Sequence, residues 1–198
     1  MEEIELYKKF SKNMGYGNDR LRIWGEGNYG NIEGSGGEVS VAQVIGMRDV
    51  IKEINPKNIL EIGFNRGASS LCWLLFSQAN VISIDIDGSL SSGEYLKNCF
   101  WHRFTFYRIN SLFLPSIFSL FNRKFDFAFI DGEHDTMHVR NDILQCLHLN
   151  IKYLLLDDYN NTAHSKHIKE AIKTFSHNYK IIKEIEICQG QALLELVN

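Results

Sequence analysis

Asp85, Asp131 and the Asp157-Asp158 pair each stand at the end of an apolar run, and Asn110-Ser111 ends another. Such runs read as buried strands, and the C-terminal strand ends form the ligand edge of open α/β sheets. The residue types collected there suit two kinds of chemistry. A carboxylate at Asp85 can accept both hydroxyls of a ribose, with Asp87 as second candidate if the strand runs on. Asn110 and Ser111 can hydrogen-bond adenine edges, although both types are also common turn formers.

Asp131 and the Asp157, Asp158 pair lie about one helix and one strand apart, so they should end neighbouring parallel strands. Such strands run about 4.8 Å apart, close enough for the carboxylates to converge. Unpaired acids that close raise each other's pKa, and a divalent cation removes that cost. An all-oxygen set favours magnesium, calcium or manganese over zinc or copper. The competing reading has Asp131 bonded to a cofactor without metal, and Asp157 or Asp158 capping a loop. His134, three residues after Asp131 on the same rim, has an ordinary pKa of about 6.5. That suits it to take a proton from a substrate hydroxyl, while a solvated histidine is the plainer alternative. His134 and His138 make a lone four-residue spacing with no third ligand, so zinc is not expected. His164, Asn160 and Asn161, in the loop after the fifth strand, can touch substrate or simply form the loop.

These groups need a cradle, and Asn58-Ile-Leu-Glu-Ile-Gly-Phe-Asn-Arg-Gly-Ala-Ser-Ser70 supplies one. Ile59, Leu60 and Ile62 form a strand, Gly63 and Gly67 a turn, and Leu71 to Phe76 a buried helix: the first half of a βαβ unit. Glycine lets a ligand approach the backbone and permits positive φ, and the helix N-terminus offers free N–H groups. Phe64, between the glycines, is counted with this cofactor-binding turn. Glu61, just before it, would repel a pyrophosphate and attract an ammonium or sulfonium, which favours S-adenosylmethionine over NAD or FAD. An ordinary turn with an exposed Glu is the bland alternative.

The remaining elements must hold this rim together. Residues 1–39 read as an N-terminal arm or lid, with Trp24 or Tyr29 able to close on a ligand. Gly25, Gly27 and Gly30 match the dinucleotide fingerprint, but the glycine-rich residues that follow cannot supply the helix that motif requires. Residues 40–198 read as one catalytic domain. A helix from Ser40, with Gln43 at capping-box spacing, ends at Asn55-Pro56. Strands are expected over 81–84, 104–109, 125–130 and 151–156, helices over 114–122 and 136–148 and from a Ser165 cap, and a closing hairpin over 181–187 and 191–197. Residues 89–100 read as irregular or short helix. Continuous apolar strands alternating with helices predict a doubly wound α/β fold, with a mostly parallel sheet covered on both faces.

The chain has 198 residues and a net charge of -3, which supports one full core and no phosphate-binding stripe, so nucleic acid is not expected as a partner. Cys72, Cys99, Cys146 and Cys188 form no C-x-x-C pair and read as reduced thiols. An acidic N-terminus and the lack of a long apolar run predict a cytoplasmic protein with no membrane partner.

Leu60-Glu-Ile-Gly-Phe-Asn-Arg-Gly67, Ile84-Asp-Ile-Asp87, Phe129-Ile-Asp-Gly-Glu-His134 and Leu156-Asp-Asp-Tyr159 together resemble the class I S-adenosylmethionine-dependent methyltransferases. The nearest branch is the small-molecule O-methyltransferases that also contain the cephalosporin-hydroxylase-like proteins. The resemblance spans about residues 40–198. It implies a Rossmann-like seven-stranded sheet with a terminal antiparallel hairpin, and cofactor binding at Glu61, Gly63, Gly67 and Asp85. In metal-dependent members it implies magnesium at Asp131, Asp157 and Asp158. Asn65 replaces the middle glycine of the turn, and Asn110 stands where many relatives carry an acid. The expected reaction is methyl transfer to the hydroxyl of a small-molecule acceptor, with a divalent cation lowering the hydroxyl pKa and His134 taking the proton. A non-catalytic S-adenosylmethionine sensor or partner subunit is the alternative, and a nicotinamide-dependent oxidoreductase is weaker. An N-terminal arm of this kind can reach a neighbouring subunit in a homo-oligomer.

Overall fold

A computed structural model describes residues 41–114, 116 and 124–197, together with 5, 6 and 9. Apart from those three, the arm expected over 1–39 lies outside the described residues, as do Ser40 and most of the helix expected over 114–122. The elements run α1 (Val41–Ile54), β1 (Asn58–Ile62), α2 (Ala68–Phe76), β2 (Asn80–Asp85), α3 (Leu90–Cys99) and β3 (Phe104–Arg108). A 3-10 turn (Ser111–Phe113) follows, then β4 (Phe127–Ile130), α4 (Thr136–His148), β5 (Tyr153–Leu156), α5 (Ser165–Thr174), β6 (Tyr179–Ile185) and β7 (Gln191–Leu196).

The seven strands order as β3-β2-β1-β4-β5-β7-β6. The first five are mutually parallel, and β7 lies antiparallel to both β5 and β6. The expected doubly wound sheet with a closing hairpin is therefore present. Parallel strands buried on both faces read as unbroken apolar runs, and β4 and β5 are of that kind. One face packs Ile59, Val81 and Phe129 against Met47 of α1 and Trp73 of α2. The other packs Leu60, Ile84 and Ile130 against Val139 and Ile143 of α4 and Ile168 and Ile172 of α5.

Local detail is fixed at three places. Of the two alternatives for residues 89–100, the helix forms, over 90–99, where the Ser89 hydroxyl accepts the Ser92 N–H and caps it. Ser165 is the first helical residue of α5, and His164 takes the capping position without a side-chain bond. The Gln43 amide crosses the fold and donates to Asp157 Oδ2 at 2.9 Å, while the Ser40 half of the expected capping box is not among the described side chains. The four cysteines are free, Cys72 and Cys146 within the core, and no helix among the described residues is long and apolar enough to cross a membrane.

Candidate active site

A cavity of about 540 Å3 opens at the C-terminal strand ends, within the range of small-molecule sites. It sits at the topological switch point, where the chain leaves β3 and returns on the far side of β1. Gly63, Asp85, Asn110, Ser111 and Asp131 line it together.

Asp85 organises one wall. Its Oδ2 accepts the backbone N–H groups of Phe64 at 2.9 Å and Asn65 at 2.6 Å, and its Oδ1 accepts that of Asp87 at 2.8 Å. The carboxylate thus ties the glycine turn to the end of β2 and keeps lone pairs for a ligand. Asp87 also lines the cavity, but its carboxylate is exposed and paired with Arg108. Asn110 Oδ1 accepts the Leu112 N–H at 2.9 Å, so the side chain caps the 3-10 turn as its residue type allows.

The glycines take the positive φ expected of them, and close packing within the chain requires them as well. A Cβ on Gly63 would overlap the Asp131 carbonyl, and a Cβ on Gly67 would stand 2.6 Å from the Phe64 ring. Both take positive φ, 97° and 82°, which glycine adopts without strain. They admit neighbouring protein, Asp131 beside Gly63 and Phe64 beside Gly67, and so close the rim. Phe64 correspondingly points into the core, with its ring stacked on Phe106 at 4.3 Å. Its ring does not line the cavity, and its tie to the cofactor-binding turn is the backbone N–H held by Asp85.

Glu61 is corrected more sharply, because its side chain is fully buried within β1 and does not reach the cavity. The carboxyl accepts the hydroxyls of Ser70 and Ser83, the latter at 2.6 Å, and the Trp73 indole N–H at 3.2 Å. Burial pushes its pKa up to about 7, against the lowering effect of these donors. It clamps α2 to β1 and β2 and makes no direct ligand contact in this arrangement.

Asp142 was not foreseen. It lines the cavity from α4, is 3% exposed, and its pKa is pushed up to about 6 by burial, with a Ser111 hydrogen bond opposing the rise. The signal was present: Val139, Asp142, Ile143 and Cys146 recur at the spacing of a buried helical stripe, and an acid on such a stripe needs a reason. His138 also faces the cavity, with Nδ1 2.6 Å from Asp135 Oδ2. That neighbouring carboxylate raises its pKa.

Across β4 from the cavity, the loops after β4 and β5 meet at His134. Its Nδ1 lies 2.6 Å from Asp158 Oδ2, its Nε2 lies 3.4 Å from Asp131 Oδ1, and its ring meets that of His164 edge to face at 4.6 Å. Hydrogen bonds to Asp131 and then Asp158 push the His134 pKa up to about 10. This pairing favours the imidazolium form and works against the expected role of His134 as a proton acceptor. Burial raises the Asp131 carboxyl, and hydrogen bonding to His134 opposes the rise.

The three carboxylates expected to hold magnesium do not converge. Asp157 is 7% exposed, and its two oxygens accept amide hydrogens from Gln191 and Gln43, each at 2.9 Å. Burial pushes its pKa well up. Asp158 turns the other way, at φ 59°, toward His134. Among the described residues, the set of three whose ligating atoms all lie within 4.8 Å of one another is His134, Asp158 and His164.

The family model described as "Methyltransferase domain" matches residues 60–159, from β1 through the loop after β5. The chain belongs to this methyltransferase domain family. The match carries the glycine turn, Asp85, Asp131, His134 and the Asp157-Asp158 pair, all on the rim just described or next to it. Comparison with curated proteins gives no match. Among solved structures, the methyltransferase is similar to an O-methyltransferase from Bacillus cereus in complex with SAH, with TM-score 0.65 and 15% identity over 97% of this chain and 90% of that one. It is also similar to an SAH-bound methyltransferase from Podospora anserina, with TM-score 0.60 and 16% identity over 81% of this chain and 80% of that one. At these identities the likeness shows a shared fold, that of the class I methyltransferases.

Proposed function

We propose that this methyltransferase moves the methyl group of S-adenosylmethionine to a hydroxyl of a small molecule. The observation that carries the reading is the cavity at the switch point, with Asp85 on one wall and Asp131 on the other, beside the His134 cluster. The Bacillus and Podospora structures, which hold SAH, support the same choice of donor. Charge supports it independently. Asp85, Asp131, Glu133 and Asp142 all face the cavity, which disfavours a pyrophosphate and suits a cationic ligand. This wall, not Glu61, makes the argument against NAD.

S-adenosylmethionine supplies an electrophilic methyl when bound, so the chain's own work is alignment, which can contribute roughly 7–11 kcal/mol. Asp85 fixes the turn and offers ribose acceptors, and Asn110 and Ser111 bound the far end of the cavity. Among the described residues, Asp131 is the carboxylate that both lines the cavity and touches His134. It is therefore placed to orient the acceptor hydroxyl and receive its proton. Since Asp131, Asp157 and Asp158 do not form a shared oxygen cradle, magnesium has no part in this account.

Calorimetric titration tests the donor assignment. S-adenosylmethionine should bind one to one with Kd on the order of 1 μM, about −8 kcal/mol, and NAD should give no heat of binding. Asp85→Ala, checked for a normal thermal transition, should weaken the donor by at least about tenfold, roughly the 1.4 kcal/mol of one lost hydrogen-bonding group. Equal binding of NAD, or no binding of S-adenosylmethionine, would remove the donor assignment.

A further inference from the structure

We infer that His134, Asp158 and His164 form a binding site for a divalent transition ion of the zinc class. The inference goes beyond methyl transfer and stands on the geometry of this cluster whatever the acceptor is. His134 comes from the loop after β4, and Asp158 and His164 from the loop after β5. Their ligating atoms lie within 4.8 Å of one another, Asp158 is buried, and the two histidines are partly buried.

The donor set selects the ion. Two imidazoles and one carboxylate suit zinc, cobalt, nickel or iron, whereas magnesium and calcium favour oxygen alone. Three protein ligands leave a coordination position for water or substrate, the pattern of reactive zinc sites. His138, whose four-residue spacing from His134 lacked a third ligand in the sequence, is turned toward Asp135 and is replaced in the set by a histidine from elsewhere. That histidine is His164, brought in by the neighbouring loop.

The surroundings of His134 point the same way. Metal-bound histidines usually direct the second ring nitrogen at a carboxylate, which fixes tautomer and ring orientation. Here Nδ1 faces Asp158 and Nε2 faces Asp131 Oδ1 at 3.4 Å. His134 Nδ1 and Asp158 Oδ2 stand 2.6 Å apart, at hydrogen-bond distance. Tetrahedral ligands at about 2.1 Å from an ion stand roughly 3.3 Å apart. To hold an ion, that pair parts by roughly 0.7 Å and the remaining pairs, all within 4.8 Å, draw in by at most about 1.5 Å. Asn161 Nδ2 donates to Asp158 Oδ1 at 3.1 Å and steadies the carboxylate.

The test is metal binding by the full chain, stripped with chelator and then dialysed free of it. Cobalt is titrated by its visible absorption, and zinc and magnesium by competition against it. The expected result is one cobalt per chain, displaced by zinc, with magnesium weaker by about 100-fold or more. His164→Ala, which removes no side-chain cap bond from α5, should weaken cobalt by about 100-fold or more, beyond the 10–100-fold typical of an outer-shell partner, with the thermal transition of the metal-free chain checked alongside. Asp157→Asn should change it by less than about threefold, because both Asp157 oxygens are committed to glutamine amides. Magnesium binding as tightly as zinc, cobalt affinity unchanged in His164→Ala, or no cobalt binding would each overturn the site. Titration of S-adenosylmethionine in excess chelator separates this outcome from failure of the methyl-donor assignment.

Discussion

Replacing Asp131 by Ala should lower methyl-transfer turnover by roughly 10²- to 10⁴-fold, the range lost when a positioned acid or base is removed. Asp131 is the link between the two halves of the rim: it lines the cavity, and it faces His134 Nε2. No other carboxylate among the described residues does both. Asp142 lies on the cavity but is bonded to Ser111, and Asp157 is enclosed by Gln43 and Gln191. The rate should fall at saturating S-adenosylmethionine, because the loss lies in handling the hydroxyl. Turnover within about threefold of the parent, with the thermal transition unchanged, would take Asp131 out of the reaction.

Glu61→Gln should stabilise the fold at alkaline pH. The native carboxyl is raised from 4.5 to about 7 by burial. Between those values the native state keeps a proton that the unfolded chain has released. Stability therefore falls as pH rises from about 4.5 to about 7, and the full cost persists above that, roughly 3 kcal/mol at 1.36 kcal/mol per pKa unit. Glutamine removes the ionisation and keeps the shape. Its carbonyl can accept the Trp73 N–H, and the Ser70 and Ser83 hydroxyls can turn to accept its amide hydrogens. Urea unfolding at pH 8 should show the variant more stable by up to about 3 kcal/mol, with the difference closing near pH 4.5. The same difference at both pH values would show that Glu61 is already ionised in the native state.

Much of the fold was legible because buried parallel strands leave a plain trace. The apolar runs ending at Ile62, Asp85, Ile130 and Leu156 located β1, β2, β4 and β5, and the rim followed from their direction. The same burial explains the misreading of Glu61. A strand covered on both faces has no open side, so an acid in its middle must point into a core whatever turn follows it. Residues 90–99 hid their helix because only Tyr95 and Leu96 are strongly apolar near its centre, while the cap that starts it is a single serine.

Contacts between loops left less trace. Asp157 and Asp158 are adjacent and alike in type, yet a left-handed backbone at Asp158 sends one toward Gln43 and Gln191 and the other toward His134. Nothing in the spacing of His134 and His164 announces that their rings meet, since the loops after β4 and β5 are joined only by the geometry of the sheet. Gly63 and Gly67 were legible as glycines that had to be there. That the space they leave is taken by Asp131 and Phe64 required the structure.

The most direct test of the central claim is transfer itself. The purified chain is incubated with S-adenosylmethionine labelled in its methyl group and with phenol, catechol and sugar acceptors, and products are read by mass spectrometry. The account predicts label in a methyl ether on oxygen, with one S-adenosylhomocysteine formed per methyl moved. Label found only on nitrogen or carbon acceptors, or bound donor that gives up no methyl to any hydroxyl, would contradict it.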